Sequence, residues 1–279
     1  MSPRVLPNFL LIGAMKAGTT SLHRYLRAHP QVFMPEEKEL HFFVAERNWG
    51  RGRAWYEAQF AEAASAVAVG EASPTYSMHP WFSGVADRVA ELLPDVRLVY
   101  CVRHPIERMR SHYLHELEKG RERAPIDQAM AADPRYLNTS RYAMQLGQYL
   151  AHFAPEQILI ITAEQLRHDR TATVRRVLTF LGVDPDWPDS RLLDPEFHRT
   201  SNKRVRRPLA QAALRVPGTR AVARLAPRPL RRLASRRVDL GRDGAIPEAL
   251  EARLRAELRD DVGRLRAHVG EGFDGWGIG

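Results

Sequence analysis

The sequence predicts an α/β fold: a central parallel sheet with helices on both faces. Three observations predict it. Four short runs, "FLLIG" (9–13), "AVAVG" (66–70), "RLVYCV" (97–102) and "QILIIT" (157–162), are apolar at nearly every position, as strands buried on both faces are. Stretches of helical pattern separate them, and strand–helix alternation implies parallel pairing. The first run passes directly into a glycine loop and a helix start, "GAMKAGTTSL" (13–22).

The elements follow in order. The strand at 9–13 ends in glycine, and a helix is expected over 20–29. Positions 32–34 and 40–43 are short extended candidates around the charged "PEEKE". A helix is expected at 55–64, then the strand at 66–70 closed by "EASPTY", then a helix at 80–93 stopped by Pro94 and Asp95. The strand at 97–102 leads through "RHP" into a helix over 106–119. Helices at 140–153 and 172–181 flank the strand at 157–162, and Gly182 ends the second. A last amphipathic helix is expected at 247–269. The simplest partition is one domain over 1–279, with a core at 7–184 and an irregular basic lid and helical extension at 185–279.

Composition narrows the function classes. At 279 residues the chain can bury a full core, and its formal charge of +9 favours anionic partners. That charge is uneven: across 199–242 arginines crowd around one lysine, and Asp239 is the only acid. Cys101 is the single cysteine, so no intrachain disulfide can form, in keeping with a reducing compartment. No secretory leader is recognisable, and "FLLIGA" is far shorter than the roughly 20 apolar residues that span a bilayer. A cytoplasmic location is the expectation.

The glycine loop has the shape of a phosphate cradle. Backbone N–H groups and the positive end of the following helix bind a tetrahedral anion, and Gly13 and Gly18 allow close approach. Lys16, Ala17, Gly18, Thr19, Thr20 and Ser21 form the candidate binding stretch. The spacing nearly meets the P-loop pattern, making the expected fold P-loop-like, but Thr19 occupies the lysine position. Where a nucleoside triphosphatase wants a strand-end aspartate for magnesium, "RLVYCV" ends in Arg103 and His104. Cations at both places point to direct capture of an anion, without a metal. Arg103 and Ser111, eight residues apart across the start of the next helix, form a second anion site on the same sheet edge. Two such sites suit a ligand with two separated anionic groups.

These residues resemble a known family. "KAGTTSL" is similar to the 5′-phosphosulfate loop of sulfotransferases, and "RHPIERMRSHY" to their 3′-phosphate motif. "KELHFF", "GEASPTY" and "FDGWG" resemble stretches of carbohydrate sulfotransferases of the heparan sulfate type and their bacterial relatives. The resemblance runs from about Phe9 to Trp276. It implies 3′-phosphoadenosine 5′-phosphosulfate as co-substrate, and as acceptor the hydroxyl or amine of a sugar, glycolipid or secondary metabolite. One departure matters: relatives of the heparan sulfate type often carry a lysine where this chain has Ala72, which argues against a polyanionic acceptor.

By the resemblance, Lys16 holds charge on the leaving phosphate and Glu39 is the general base. His41, two residues on and on the same face if the segment is extended, either orients Glu39 or is itself the base. Lys203 and Arg204 in "RTSNKRVRRP" are expected to return to the nucleotide as part of a lid. His112 and His115 sit three apart on one helix, but nothing completes a metal set, so they read as surface or cleft-edge residues. Glu71, Ser73 and Tyr76 are candidates to line the cleft or to close a strand. A P-loop nucleotide kinase is the alternative enzyme. A nucleic-acid or membrane-surface binder built on the arginine-rich segment is the alternative from another class; with the sulfotransferase reading no nucleic acid is expected, and peripheral membrane contact stays open to that segment.

Overall fold

A computed structural model describes residues 5–63, 65–187 and 243–278, together with the backbone of two short strands at 204–206 and 235–237. Five strands form one parallel sheet: β1 (Phe9–Gly13), β2 (Val32–Phe33), β3 (Ala68–Ala72), β4 (Arg97–Val102) and β5 (Ile158–Thr162), in the order β2-β3-β1-β4-β5. The apolar runs are strands because both faces are covered: Phe9, Leu10, Leu11 and Ile12 of β1 are fully buried. β1 lies beside β3 with Phe9 level with Gly70, and beside β4 with Phe9 level with Arg97. Gly70 is required there, since a Cβ would come within 2.5 Å of the Phe9 ring.

Helices α1 (Thr19–Arg27), α2 (Gly52–Ala58), α3 (Val85–Leu92), α4 (Pro105–Lys119), α5 (Ile126–Ala132), α6 (Arg135–Asn138), α7 (Tyr142–Leu150), α8 (Ala163–His168) and α9 (Arg170–Leu181) connect the strands, and α10 (Glu248–Val269) follows. Three of them, α5, α6 and α8, fall where the sequence reading placed none. The helix expected at 80–93 is confined to α3, because left-handed Gly84 (φ 66) starts it late. The helix expected at 55–64 lies earlier, as α2. The extended segment expected at 40–43 is a series of turns, because Glu39 (φ 70) and His41 (φ 49) are both left-handed. Cys101 is buried in β4, and burial pushes its thiol well up, so it is a core side chain.

α10 packs its apolar face along two cores. Leu250, Leu254 and Leu258 join Ile106, Met109 and Leu114 of α4 and Ile126 and Met130 of α5, while Leu265 and Val269 join the core around the sheet. On the same face, buried Asp261 accepts the backbone N–H groups of Ala143 and Met144, both at 2.9 Å. Helix starts leave their first N–H groups without partners. Here α10 supplies the cap that α7 lacks in its own sequence. Of the predicted lid, Lys203 lies outside the described residues and Arg204 is described only as backbone, in β6 (Arg204–Arg206) paired antiparallel with β7 (Ser235–Arg237).

The capping contact yields a prediction. Asp261→Ala leaves two part-buried N–H groups without this acceptor and should lower stability by about 1–3 kcal/mol, read as a fall in the urea midpoint at unchanged slope. Asp261→Asn, whose single carbonyl oxygen replaces two carboxylate oxygens, should lie between the two.

Candidate active site

The loops leaving the carboxyl ends of β1, β3, β4 and β5 line one cleft of about 1620 Å³. The glycine loop forms its floor. Gly13 passes so close to Ser77 that a Cβ would meet the Ser77 Oγ at 1.9 Å. The chain then turns through left-handed Lys16 (φ 71) and Gly18 (φ 95) into α1. α1 has neither a side-chain cap nor an acid in its first turn, so its positive end is left for a ligand. Lys16, Gly18, Thr19, Thr20 and Ser21 all line the cleft. Ala17 does not: its methyl is fully buried, and its N–H bonds to the Ala14 carbonyl at 3.1 Å, so it shapes the loop from beneath.

Arg103 stands beside this loop. Its guanidinium donates to the Lys16 carbonyl at 3.4 Å and to Glu107 at 3.4 Å, and the Tyr142 hydroxyl donates to its carbonyl at 2.7 Å. Ser111, one side of α4 further on, faces the same cleft. The two anion sites read from the sequence are therefore neighbours. The next residue is pinned from a distance in the chain: the His104 N–H donates to Glu164 at 3.1 Å, and the other Glu164 oxygen accepts from the Trp276 indole at 3.2 Å. "FDGWG" thus reaches the edge that carries Arg103.

Two cations on this side were missed by sequence reasoning, Arg167 on α8 and Arg170 on α9. The signal was present in "TAEQ" (162–165). Thr162 and Gln165 form a capping box, with the Gln165 N–H donating to the Thr162 Oγ1 and the Gln165 side chain accepting from the Thr162 N–H, both at 3.0 Å. Reading it would have started α8 there.

Across the cleft stand Glu39 and His41. They are not on an extended strand, yet they remain side by side, with the His41 Nε2 at 3.8 Å from a Glu39 oxygen. Lys38 bonds the Glu39 carboxylate at 2.8 Å. Burial pushes the Glu39 carboxyl up, but the Lys38 ammonium and its hydrogen bond outweigh that and hold it below the ordinary carboxylate value. Burial, opposed by Glu39, holds the His41 ring below the ordinary histidine value, and its Nδ1 lies 2.8 Å from the Thr75 Oγ1. Two left-handed non-glycine residues so close together cost on the order of 1–3 kcal/mol each.

Glu71, Ser73 and Tyr76 do not line the cleft; all three are buried beneath it, and Pro74 and Thr75 line it instead. The Glu71 carboxylate accepts from the Ser73 hydroxyl at 2.7 Å, from the Tyr56 hydroxyl at 3.3 Å and from the Tyr76 hydroxyl. Burial pushes its pKa up to about 7, against the pull of those three hydroxyls. His112 is buried against Tyr136, while His115 faces the cleft with Glu118 3.9 Å away. Among the described residues no cluster of three His, Cys, Asp or Glu is placed to hold a metal ion, and no helix is long and apolar enough to cross a membrane.

Fold and cleft together define a doubly wound α/β protein with a glycine loop and an arginine side by side at its sheet edge. Residues 7–189 match the model of the sulfotransferase family, and the chain belongs to that family. It is 31% identical over 188 residues to the mouse heparan sulfate glucosamine 3-O-sulfotransferase 3B1, covering 64% of this chain and 46% of that protein. It is 31% identical over 215 residues to the human bifunctional heparan sulfate N-deacetylase/N-sulfotransferase 3, covering 70% of this chain and 24% of that one. The chain thus spans less than half the length of these two relatives. A solved sulfotransferase from Alicyclobacillus acidocaldarius superposes with a TM-score of 0.71 at 26% identity, over 98% of this chain and 99% of the other.

The buried histidines allow a direct check. Burial, helped by Lys38, Arg27 and Arg24, lowers His23 to about 4, and burial beside Arg108 lowers His112 further. A lowered histidine pKa keeps the ring neutral in the fold at a pH where an unfolded chain would carry the charge. At pH 5 imidazole NMR should find both rings neutral in the folded protein.

Proposed function

We propose that the protein transfers a sulfuryl group from 3′-phosphoadenosine 5′-phosphosulfate to a hydroxyl or amine of a carbohydrate or small-molecule acceptor. One observation carries this reading: the loop of Lys16 and the guanidinium of Arg103 touch at one sheet edge, in the cleft that also holds Glu39 and His41. The donor has two anionic ends, and the residues present fit both. The open helix end with Thr19, Thr20 and Ser21 suits the 5′-phosphosulfate, and Arg103 with Ser111 suits the 3′-phosphate. When bound, the donor supplies a sulfuryl group whose leaving group is a phosphate.

The chain's own residues do the rest. Lys16 places its ammonium against the oxygen on which negative charge builds as the bond to sulfur breaks; such preplaced charge is commonly worth several kcal/mol. Glu39, held ionised by Lys38, accepts the proton of the attacking acceptor group. His41 orients that carboxylate from its 3.8 Å position. Arg167 and Arg170 add positive field on the donor side, and a lid from Lys203 and Arg204 would add more. Ala72 is buried with its carbonyl bonded to the Glu39 N–H at 3.1 Å, and it offers no cation to a polyanionic sugar.

Calorimetry should find 3′-phosphoadenosine 5′-phosphate bound in the presence of a metal chelator; binding of magnesium ATP instead would overturn the reading. Arg103→Ala should weaken that binding by about 2 kcal/mol or more. Trp276→Phe keeps the ring but removes the indole N–H that holds Glu164. It should cost about 0.5–1.5 kcal/mol in nucleotide affinity.

The base assignment has its own test, run as transfer from the labelled donor to a panel of glycosides and phenols. Glu39→Gln should retain nucleotide binding while turnover falls by roughly 10²–10⁴. Lys16→Ala should lose affinity and turnover together. If Glu39→Gln turns over normally while His41→Ala is inactive, the base is His41.

A further inference from the structure

The segment that carries Glu39 and His41 has no secondary structure to hold it, and both residues sit in the left-handed region that side chains other than glycine avoid. Something must over-determine that conformation. Besides the Glu39 N–H on the Ala72 carbonyl and the Asn48 amide on the Leu40 carbonyl, two contacts converge on a side chain with no place in the transfer chemistry. The His41 N–H donates to the Ser73 Oγ at 3.0 Å, and the Phe43 N–H donates to the Tyr76 hydroxyl at 3.4 Å. Each of those hydroxyls in turn donates its own hydrogen to Glu71, one to each carboxylate oxygen.

The chemistry of a hydroxyl makes this arrangement directional. Ser73 and Tyr76 each have one hydrogen. Above its raised pKa of about 7 the Glu71 carboxylate is ionised and acceptor-only, so amide exchange is read at pH 8 or higher. With both hydrogens drawn to Glu71, the oxygen lone pairs must face the amides of His41 and Phe43. Glu71 is 1% exposed, so no water competes for those hydrogens. Tyr56 adds a third hydroxyl to the carboxylate from α2, and its ring stacks on Phe42 at 4.0 Å, gripping the same segment from its other side.

We infer that Glu71 is a positioning residue for the proton-accepting pair: by fixing the hydroxyls of Ser73 and Tyr76 as acceptors, it holds the 39–43 segment in its left-handed turns and aims Glu39 and His41 into the cleft. The inference rests on the reading of Glu39 and His41 as that pair. An amide at position 71 has nearly the same shape but puts an NH2, with two donors, where one acceptor oxygen was. The hydroxyl that faces that NH2 loses the acceptor that fixed its hydrogen, so its lone pairs are no longer held toward the backbone N–H.

The test needs no acceptor. In Glu71→Gln, hydrogen exchange at the His41 or Phe43 amide should quicken tenfold or more, and the His41 ring should titrate closer to the ordinary histidine value with an altered tautomer signal. Affinity for 3′-phosphoadenosine 5′-phosphate should stay within twofold of wild type, which reports that the fold and donor side are intact. Tyr56→Phe removes a donor to Glu71 but leaves both hydroxyls oriented, so His41 and both amides should behave as in wild type. Should Glu71→Gln fail to fold, Ser73→Ala severs only the His41 link and should loosen the His41 amide while sparing that of Phe43. Unchanged His41 titration and amide exchange in Glu71→Gln, or in Ser73→Ala where Glu71→Gln does not fold, would overturn the inference. Wild-type protein that failed to bind the nucleotide would instead remove the donor reading and leave the positioning result standing.

Discussion

The pairing of β1 with β4 is the constraint from which the site follows. Connections from β1 lead toward β3 and β2 on one side of the sheet, and β4 leads on to β5 on the other. At such a switch point adjacent loops diverge and leave a crevice at the carboxyl edge. Both anion-facing elements leave the sheet there, the Lys16 loop from β1 and Arg103 from β4. A 3.4 Å bond from the Arg103 guanidinium to the Lys16 carbonyl joins them. With those two strands fixed, the reach from one anion site to the other is fixed as well.

Much of this was legible in the sequence, because a parallel core writes itself in uninterrupted apolar runs. β1 and β4 were read with their bounds, and the glycine loop with its hydroxyls, because glycine and strand-end charge act locally. Residues 39–43 were not. Their conformation is set by Ser73 and Tyr76, more than 30 positions away, so no window on "KELHFF" contains the cause. Yet the proximity of Glu39 and His41 survived the wrong backbone, since two left-handed turns return alternate side chains to one side much as a pleat does. α5 and α6 were missed because each is short and defined by the second core, which exists only once α10 is in place.

Polarity is divided across the cleft. Lys16, Arg103, Arg167 and Arg170 all line one side of the cleft, and at the far end of α4 Arg121 is bonded to both oxygens of Glu116 at 2.6 and 2.7 Å. The buried cluster around Glu71 lies on the other side of the same floor. It does for the acidic residues what the helix end does for the loop: it sets direction through fixed dipoles.

Distance along the chain gives the Trp276 contact a further meaning. The indole meets Glu164 across 112 positions, and Asp261 reaches Ala143 across 118. Contacts of that separation pay their loop-closure entropy late, and they set the pace of folding. A nascent chain that has already delivered the glycine loop, Arg103 and Ser111 from the ribosome therefore lacks the support of His104 and the cap of α7. The edge that carries Arg103 is completed as a finishing step of synthesis, after the glycine loop has long been exposed.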